Sequence, residues 1–204
     1  ELWVEPSGEE DLRAVVACLN AWDVPWIVVG AGSNLIIADT GIRGAAVRLS
    51  APAFRRVGAG PAGVDAGAGA YLRQIVRAAT AAGRAGLEAF EGIPGTVGGA
   101  LRMNAGAMGG EFLAAVERVR VLDRAGRVRE CPGAAIDAGY RSCPFFMEHV
   151  ALHVWLRTRP EATAEIARRV ASFAERRRGT QPTGASAGCV FRNPGTAPAG
   201  RLID

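Results

Sequence analysis

Leu12, Val15, Val16 and Leu19 recur at i, i+3, i+4 and i+7, the spacing of one buried face of an α-helix, and predict a helix near residues 8–22. Ser7 and Glu10 stand at the spacing of a capping box for that helix, and Leu2-Trp3-Val4 ahead of it reads as a strand. Pro25-Trp26-Ile27-Val28-Val29 is short, apolar and β-branched, the composition of a buried strand. Two more β-like runs follow, Leu35-Ile36-Ile37-Ala38-Asp39 and a segment around 45–49, separated by a turn at Thr40-Gly41. A Gly/Ala-rich stretch at 58–70 leads into a second helix, about 71–82. Residues 116–123 and 127–131 read as a strand pair with Arg124-Ala125-Gly126 as its turn. A strand at 151–158 and a third helix at 163–178 complete the pattern, with a linker position at Arg159-Pro160-Glu161. Strands alternate with helices without regular βαβ spacing, so the predicted class is α+β.

Two glycine-dense loops interrupt this pattern. Residues 91–111 carry seven glycines (Gly92, Gly95, Gly98, Gly99, Gly106, Gly109, Gly110) with no low-complexity character around them. Glycine admits positive φ and close backbone approach, while Pro94 stiffens the turn at 93–96. Such a stretch suits a backbone wall against a flat or phosphorylated ligand, or equally a pair of tight turns between strands. The second loop, Gly30-Ala31-Gly32-Ser33-Asn34, follows the strand at 25–29, and its successive N–H groups can form a nest for a pyrophosphate. A Rossmann fingerprint requires a helix straight after the loop. Here another β-like run follows, so the predicted unit is strand–loop–strand.

Composition narrows the function classes. A 204-residue chain, 49% hydrophobic and 22% charged, matches a globular protein of one large or two small domains. No stretch of 18 apolar residues is present, which argues against a membrane-spanning helix, and no signal peptide is read at the start. All 24 basic residues are arginine and the net charge is only +4, without interleaved aromatics, which speaks against nucleic-acid binding. Cys18, Cys131, Cys143 and Cys189 form no C-x-x-C pair, so free thiols in a reducing cytosol are expected, and no metal site. His149 and His153 can share a helical face or flank a strand turn, as ordinary surface or core histidines.

Several segments, in order, carry a family resemblance. Val29–Asp39 resembles the GxGSNLLVxD loop of the UDP-N-acetylenolpyruvoylglucosamine reductases, and Gly86–Glu111 their GLExLxGIPGTVGGAxxMNAGAYGxE segment. Tyr140-Arg141-Ser142, Ser186–Pro194 and Ala199–Asp204 resemble the family's YRxS, SAGSxFKNP and AGxLID motifs. The resemblance covers essentially the whole chain. It implies a two-subdomain FAD-binding α+β fold of the vanillyl-alcohol-oxidase type, with subdomains at 1–52 and 53–160. The start of a substrate-binding domain would then occupy 161–204.

The resemblance also implies roles. Gly30, Ala31, Gly32, Ser33 and Asn34 would hold the pyrophosphate of non-covalent FAD. Ile93, Pro94, Gly95, Thr96, Gly98 and Gly99 would line flavin and phosphates, with Asn104, Ala105 and Gly106 behind them. NADPH would be the co-substrate and an enolpyruvyl UDP-sugar the substrate, in peptidoglycan precursor synthesis by a cytoplasmic monomer. Arg141 would neutralise charge on the substrate carboxylate, and Cys189 stands where the family has its proton-donating serine. Gln181, Arg192 (a lysine in the family) and Asn193 would contact substrate. Arg176-Arg177-Arg178 reads either as a solvated helix end or, with Gln181, as a contact to substrate phosphate. A third catalytic residue, a glutamate, is expected beyond Asp204, and a further family strand before Glu1. The 48 positions from Arg141 to Cys189 leave no room for one subgroup's tyrosine-bearing insertion, which points to the compact subgroup. Two rival readings are a flavin oxidase or dehydrogenase with another substrate, and a non-catalytic FAD module. Oxidases of this fold often tether flavin through His or Cys near the first loop, and residues 23–130 contain neither.

Overall fold

The computed structural model describes residues 2–181, 188, 191, 193 and 199–203. Its first unit is parallel: β1 (Leu2–Val4), helix α1 (Glu9–Ala21), β2 (Trp26–Val28) and β3 (Ala45–Val47) give a sheet in the order β1-β3-β2. Parallel neighbours need a crossover, and α1 makes the one from β1 to β2. Leu12, Val16 and Leu19 of α1 are buried, as their spacing predicts. The cap differs from expectation. Gly8 occupies the N-cap, Ser7 lies one residue outside it, and its N–H and Oγ both meet Asp11 Oδ2, at 2.8 and 3.0 Å. Glu10 instead pairs with Arg13 at 3.3 Å.

The expected strand at 35–39 is absent. Residues 29–44 form one irregular connection between β2 and β3, with Ile36 86% exposed. The apolar run has β-like composition but no neighbouring strand edge to pair with. Where the connection re-enters the sheet, Gly44 (φ +119°) must lack a side chain, because a Cβ there would sit 2.0 Å from Pro25 O.

The second unit is a five-stranded antiparallel sheet, and its strands interleave with helices along the chain. In chain order come β4 (Val57–Gly60), β5 (Gly63–Gly67), α2 (Leu72–Ala81), β6 (Arg84–Ala85) and α3 (Val97–Met103). Next are the short β7 (Gly106–Ala107) and β8 (Gly110–Glu111), then β9 (Val116–Asp123) and β10 (Val128–Pro132). Helix α4 (Phe145–Glu148), β11 (His149–Leu156), β12 (Arg159–Pro160), α5 (Thr163–Thr180) and α6 (Ala199–Ile203) follow. The large sheet runs β10-β9-β11-β5-β4. Thus the Gly/Ala-rich stretch at 58–70 contains two strands that composition hides. Gly67 and Gly69 serve close packing there: a Cβ on Gly67 would lie 2.2 Å from Phe54 O, and one on Gly69 would lie 2.0 Å from Leu49 O.

Both sheets contribute to one apolar core, from Leu12 and Val47 through Leu72 and Leu101 to Val121 and Leu156. Helix α1 is tied to the β9–β10 hairpin, where Arg120 clasps Glu9 through two bonds of 3.0 and 2.8 Å. At the position expected for a linker, β12 pairs with β6, and Arg169 of α5 holds Glu88 at 3.1 and 2.6 Å and Glu161 at 2.6 Å. Helix α5 is therefore fastened to the turn that precedes the glycine segment, with its C-terminal end directed to the same cleft as that segment.

Candidate active site

A cleft of about 930 Å³ opens where the end of β2, the start of α3, the α4–β11 corner and the end of α5 converge. Gly30–Asn34, Ile93–Thr96, Gly98, Gly99, Ala105, Gly106, Arg141 and Gln181 all line it, although they come from four distant parts of the chain. The two glycine loops touch each other. A Cβ on Gly30 would lie 2.7 Å from Thr96 Oγ1, and one on Gly95 (φ +111°) would lie 3.0 Å from Ser33 Oγ. Glycine at 30 and 95 is what allows the two walls to close to this distance.

The loops differ in what their backbone still offers. At the start of α3 the donors are taken: Val97 and Gly98 N–H donate to Ala70 O and Ala68 O, both at 2.8 Å, and Gly99 N–H donates to Thr96 Oγ1 at 3.4 Å. The N–H groups of Gly30, Ala31, Gly32, Ser33 and Asn34, by contrast, donate to no protein acceptor among the described residues. Gly32 adopts φ +75°, and a Cβ there would meet nothing within 4 Å, so it would project into open space. Consecutive unengaged N–H groups around a positive-φ glycine make an anion-binding concavity.

Arg141 owes its placement to a small scaffold. Gly139 and Ser142 exchange backbone bonds of 2.8 and 3.1 Å, and the loop between them puts Arg141 at φ +55°, a costly conformation for a residue with a Cβ. Its Nη2 donates to Gly106 O at 2.7 Å, and its guanidinium lies 4.8 Å from the centre of the Tyr140 ring. Gly106 belongs to β7, whose turn to β8 has Met108 (φ +52°) and Gly109 (φ +82°) at its two central positions, the signature of a type I′ hairpin.

Asn104 stands behind the cleft wall, 1% exposed and outside its lining. Its Nδ2 donates to Glu111 Oε2 at 2.9 Å and Gly139 O at 3.2 Å, while its Oδ1 accepts from Leu113 N–H at 3.1 Å. Held in the left-handed region (φ +38°) at the end of α3, it pins the Arg141 loop to the β7–β8 hairpin.

On the α5 side, Arg176, Arg177 and Gln181 line the cleft, and Arg177 Nη2 donates to Gln181 Oε1 at 3.0 Å. Burial pushes the Arg177 guanidinium below its ordinary pKa, because its side chain packs on Gly92, where a Cβ would sit 2.9 Å from Arg177 Cδ. Asn193 Nδ2 donates to Tyr140 Oη at 2.7 Å, which places that residue beside the Arg141 loop. Cys189 and Arg192 lie outside the described residues. His149 and His153 both sit on β11, the first engaged by Arg129 and Phe145 O at 2.9 Å each, the second by Asp65 at 2.9 Å.

Electrostatics sets this cleft apart. Arg48, Arg55, Arg102, Arg124, Arg141, Arg176 and Arg177 line it, and among the described residues no Asp or Glu does. Arg48, Arg55, Arg102 and Arg124 carry no motif in the sequence; they reach the cleft only through tertiary folding.

Comparison with known proteins agrees with this geometry. Residues 1–132 match the FAD binding domain family. Over 205 residues the chain is 38% identical to the UDP-N-acetylenolpyruvoylglucosamine reductase of Paramagnetospirillum magneticum, covering all of this chain and 66% of that protein. It is likewise 38% identical to the reductase of Geobacter metallireducens, covering 68% of it. The chain thus spans about two thirds of the length of these curated relatives. The crystal structure of the Thermus caldophilus UDP-N-acetylenolpyruvylglucosamine reductase superposes with a TM-score of 0.83 at 36% identity, over 99% of this chain and 71% of that one. A glucose dehydrogenase variant at 20% identity shares the fold, with a TM-score of 0.55 over 76% of this chain and 34% of its own.

Proposed function

The chain belongs to the UDP-N-acetylenolpyruvoylglucosamine reductase family and carries an FAD binding domain, and on that footing we propose that it forms the larger part of an NADPH-dependent flavoenzyme. Its substrate is the enolpyruvyl ether of UDP-N-acetylglucosamine and its product the corresponding lactyl ether, UDP-N-acetylmuramate, a cytoplasmic precursor of peptidoglycan. The single observation that carries this reading is a cleft with seven arginines and no carboxylate among its described lining residues. FAD, NADPH and the UDP-sugar all bring diphosphates, and the substrate adds a carboxylate. No helix among the described residues is long and apolar enough to cross a membrane.

The residues present fit FAD on two counts. Five backbone N–H groups at 30–34 await acceptors, and open space lies where a side chain on Gly32 would project. When bound, FAD supplies the hydride-carrying chemistry between nicotinamide and the vinyl carbon. The remaining work falls to the chain's own groups. Gly30–Asn34 hold the diphosphate by charge-assisted N–H bonds, which are the stronger kind. Among the described residues Arg141 commits only Nη2 to a protein acceptor, Gly106 O, which leaves Nε and Nη1 for a carboxylate. Fixed in advance by Asn104 and the hairpin, it stabilises charge on that carboxylate without reorganisation at the moment of reaction. Cys189 delivers the proton to the carbon bearing the carboxylate; a thiol with pKa about 8.5 is mostly protonated at neutral pH. Arg176, Arg177 and Gln181 meet the substrate's diphosphate from the end of α5, and Arg192 and Asn193 contribute further substrate contacts.

The test is spectroscopic. The purified whole protein is expected to be yellow, to release all its FAD on acid precipitation, to bleach with NADPH and to recover colour on addition of the enolpyruvyl UDP-sugar. A colourless protein overturns the flavin reading. A bleached flavin that the UDP-sugar does not reoxidise overturns the substrate.

A further inference from the structure

Of the seven cleft arginines, four already have protein partners. Arg48 faces Glu5 at 3.8 Å, Arg124 donates to Trp26 O and Met147 O, Arg141 to Gly106 O, and Arg177 to Gln181. Arg55 is in a different position. Its Nε is the one buried side-chain nitrogen or oxygen among the described residues with no hydrogen-bond partner. A donor withdrawn from water and left unpaired costs free energy, more so on a charged group. No carboxylate of the described chain offsets this charge.

The backbone that carries Arg55 is rigid. Phe54 O accepts from Gly69 N–H at 2.9 Å and Arg56 O from Gly67 N–H at 2.8 Å, so the residues flanking Arg55 are locked onto the strand end that leads to Ala68 and Gly69 in the cleft wall. Ala68 O in turn accepts from Gly98 N–H at 2.8 Å. The guanidinium lies 5.9 Å from the centre of the Tyr71 ring, and Tyr71 bridges in antiparallel fashion to Thr96, the residue packed against Gly30. A continuous chain of contacts thus joins Arg55 to the free N–H loop.

From this geometry we propose that Arg55 is a cofactor-binding residue. Its guanidinium forms an ion pair with the diphosphate of FAD, from the second sheet, while the backbone of Gly30–Asn34 binds the same group from the first. The two subdomains then share one anion, and the cofactor fastens them together. This deepens the flavin reading and rests on it.

The test compares two ligands that differ in the anion. Apoprotein of the full chain, unmodified and as Arg55→Met and Arg55→Lys, is titrated into FAD and into riboflavin, following flavin fluorescence. Arg55→Met is expected to weaken FAD binding by about 10- to 100-fold, the usual worth of a charge-assisted bond, and to leave riboflavin affinity unchanged. Arg55→Lys keeps the charge and should recover part of the loss. The FAD affinity of the unmodified protein should fall with added salt, and that of Arg55→Met should fall less steeply. If the unmodified protein does not bind FAD, the flavin reading itself fails. If it binds and Arg55→Met binds FAD within threefold of it, or loses FAD and riboflavin in parallel, the assignment of Arg55 is overturned. Should Arg55→Met not fold, Arg55→Lys against Arg55→Gln decides: equal FAD affinities for the two contradict an ion pair, and tighter binding by the lysine variant supports it.

Discussion

Replacing Glu88 by alanine is expected to loosen α5 and, through it, one wall of the cleft. Glu88 is 7% exposed and its carboxylate accepts from Arg169 Nε at 3.1 Å, Arg169 Nη2 at 2.6 Å and Gly86 N–H at 2.7 Å. Burial opposes its ionisation, but the Arg169 guanidinium and the backbone donors outweigh burial and hold its pKa below the usual carboxylate value. Hydrogen bonds to charged groups contribute about 1.5–3 kcal/mol. The lower end applies here, because the Arg169 side chain is 36% exposed and keeps Glu161 at 2.6 Å. The one methylene lost with the side chain, Cγ, adds about 0.8 kcal/mol. Glu88→Ala should therefore lower unfolding free energy by about 2–3 kcal/mol in urea titration, and Glu88→Gln, which keeps the shape and can still accept from Gly86, by about 1 kcal/mol. The sign with pH is fixed by the depressed pKa: this stability is present above the ordinary carboxylate value and is lost as pH falls through the lower folded one. The unmodified protein should thus show a steeper acid limb than Glu88→Gln. Amide exchange in α5 should rise selectively, and substrate affinity should drop while FAD affinity holds. A cost for Glu88→Ala below about 0.5 kcal/mol, or exchange that rises equally across the chain, would refute this account of how α5 is held.

Two further outcomes test the site directly. Gly32→Val, at φ +75° with open space around its Cβ position, should reduce FAD affinity by at least about tenfold in fluorescence titration, since a β-branched residue both strains the turn and fills phosphate space. Cys189→Ala should leave NADPH-driven flavin reduction nearly intact and slow substrate-dependent reoxidation by roughly 10²-fold in stopped-flow, with Cys189→Ser retaining far more activity; tolerance of alanine would remove the thiol from the chemistry.

Much of the frame was legible in the sequence because it rests on local periodicity. The 12/15/16/19 repeat gave α1, and the β9–β10 turn is visible in Asp123-Arg124-Ala125-Gly126, where Asp123 Oδ1 accepts from the N–H groups of Ala125 and Arg127 at 2.9 Å each. What escaped reading is tertiary. Residues 57–67 look unsuited to strands because of their glycines, yet Gly67 answers to the close approach of Phe54, not to β-propensity. Residues 35–39 look like a strand and find no partner. α3 opens on Val97-Gly98-Gly99, a poor helical start, and is stabilised instead by Thr96 at the N-cap and backbone bonds to Ala68 and Ala70. In the site, backbone roles could be read from glycine, since glycine marks close approach. Arg55 and the Glu88–Arg169 clasp, 81 positions apart, leave no local pattern to find.

The distribution of charge explains why a modest net value conceals a binding site. Overall the chain carries 24 arginines against 20 carboxylates. Seven of those arginines line the cleft without a carboxylate among the described lining residues, and of the seven only Arg48 pairs with an acid of the described chain, Glu5 at 3.8 Å. Positive charge is thereby concentrated on one concave surface, where low-dielectric walls strengthen the field and raise the local concentration of anionic ligands. Elsewhere arginine is spent on carboxylates, as in Arg120–Glu9, Arg118–Glu130 and Arg169–Glu88–Glu161. The cleft thus keeps a positive field, which makes it suited to an anionic cofactor such as FAD although the chain carries only +4. Within that cleft Arg55 has an unmet demand for an anion, its buried Nε having no hydrogen-bond partner among the described residues. That demand is a cost to the empty protein, and on the proposal made above the diphosphate of FAD would relieve it. Cofactor binding and the stability of the two-sheet frame would then be coupled through that guanidinium.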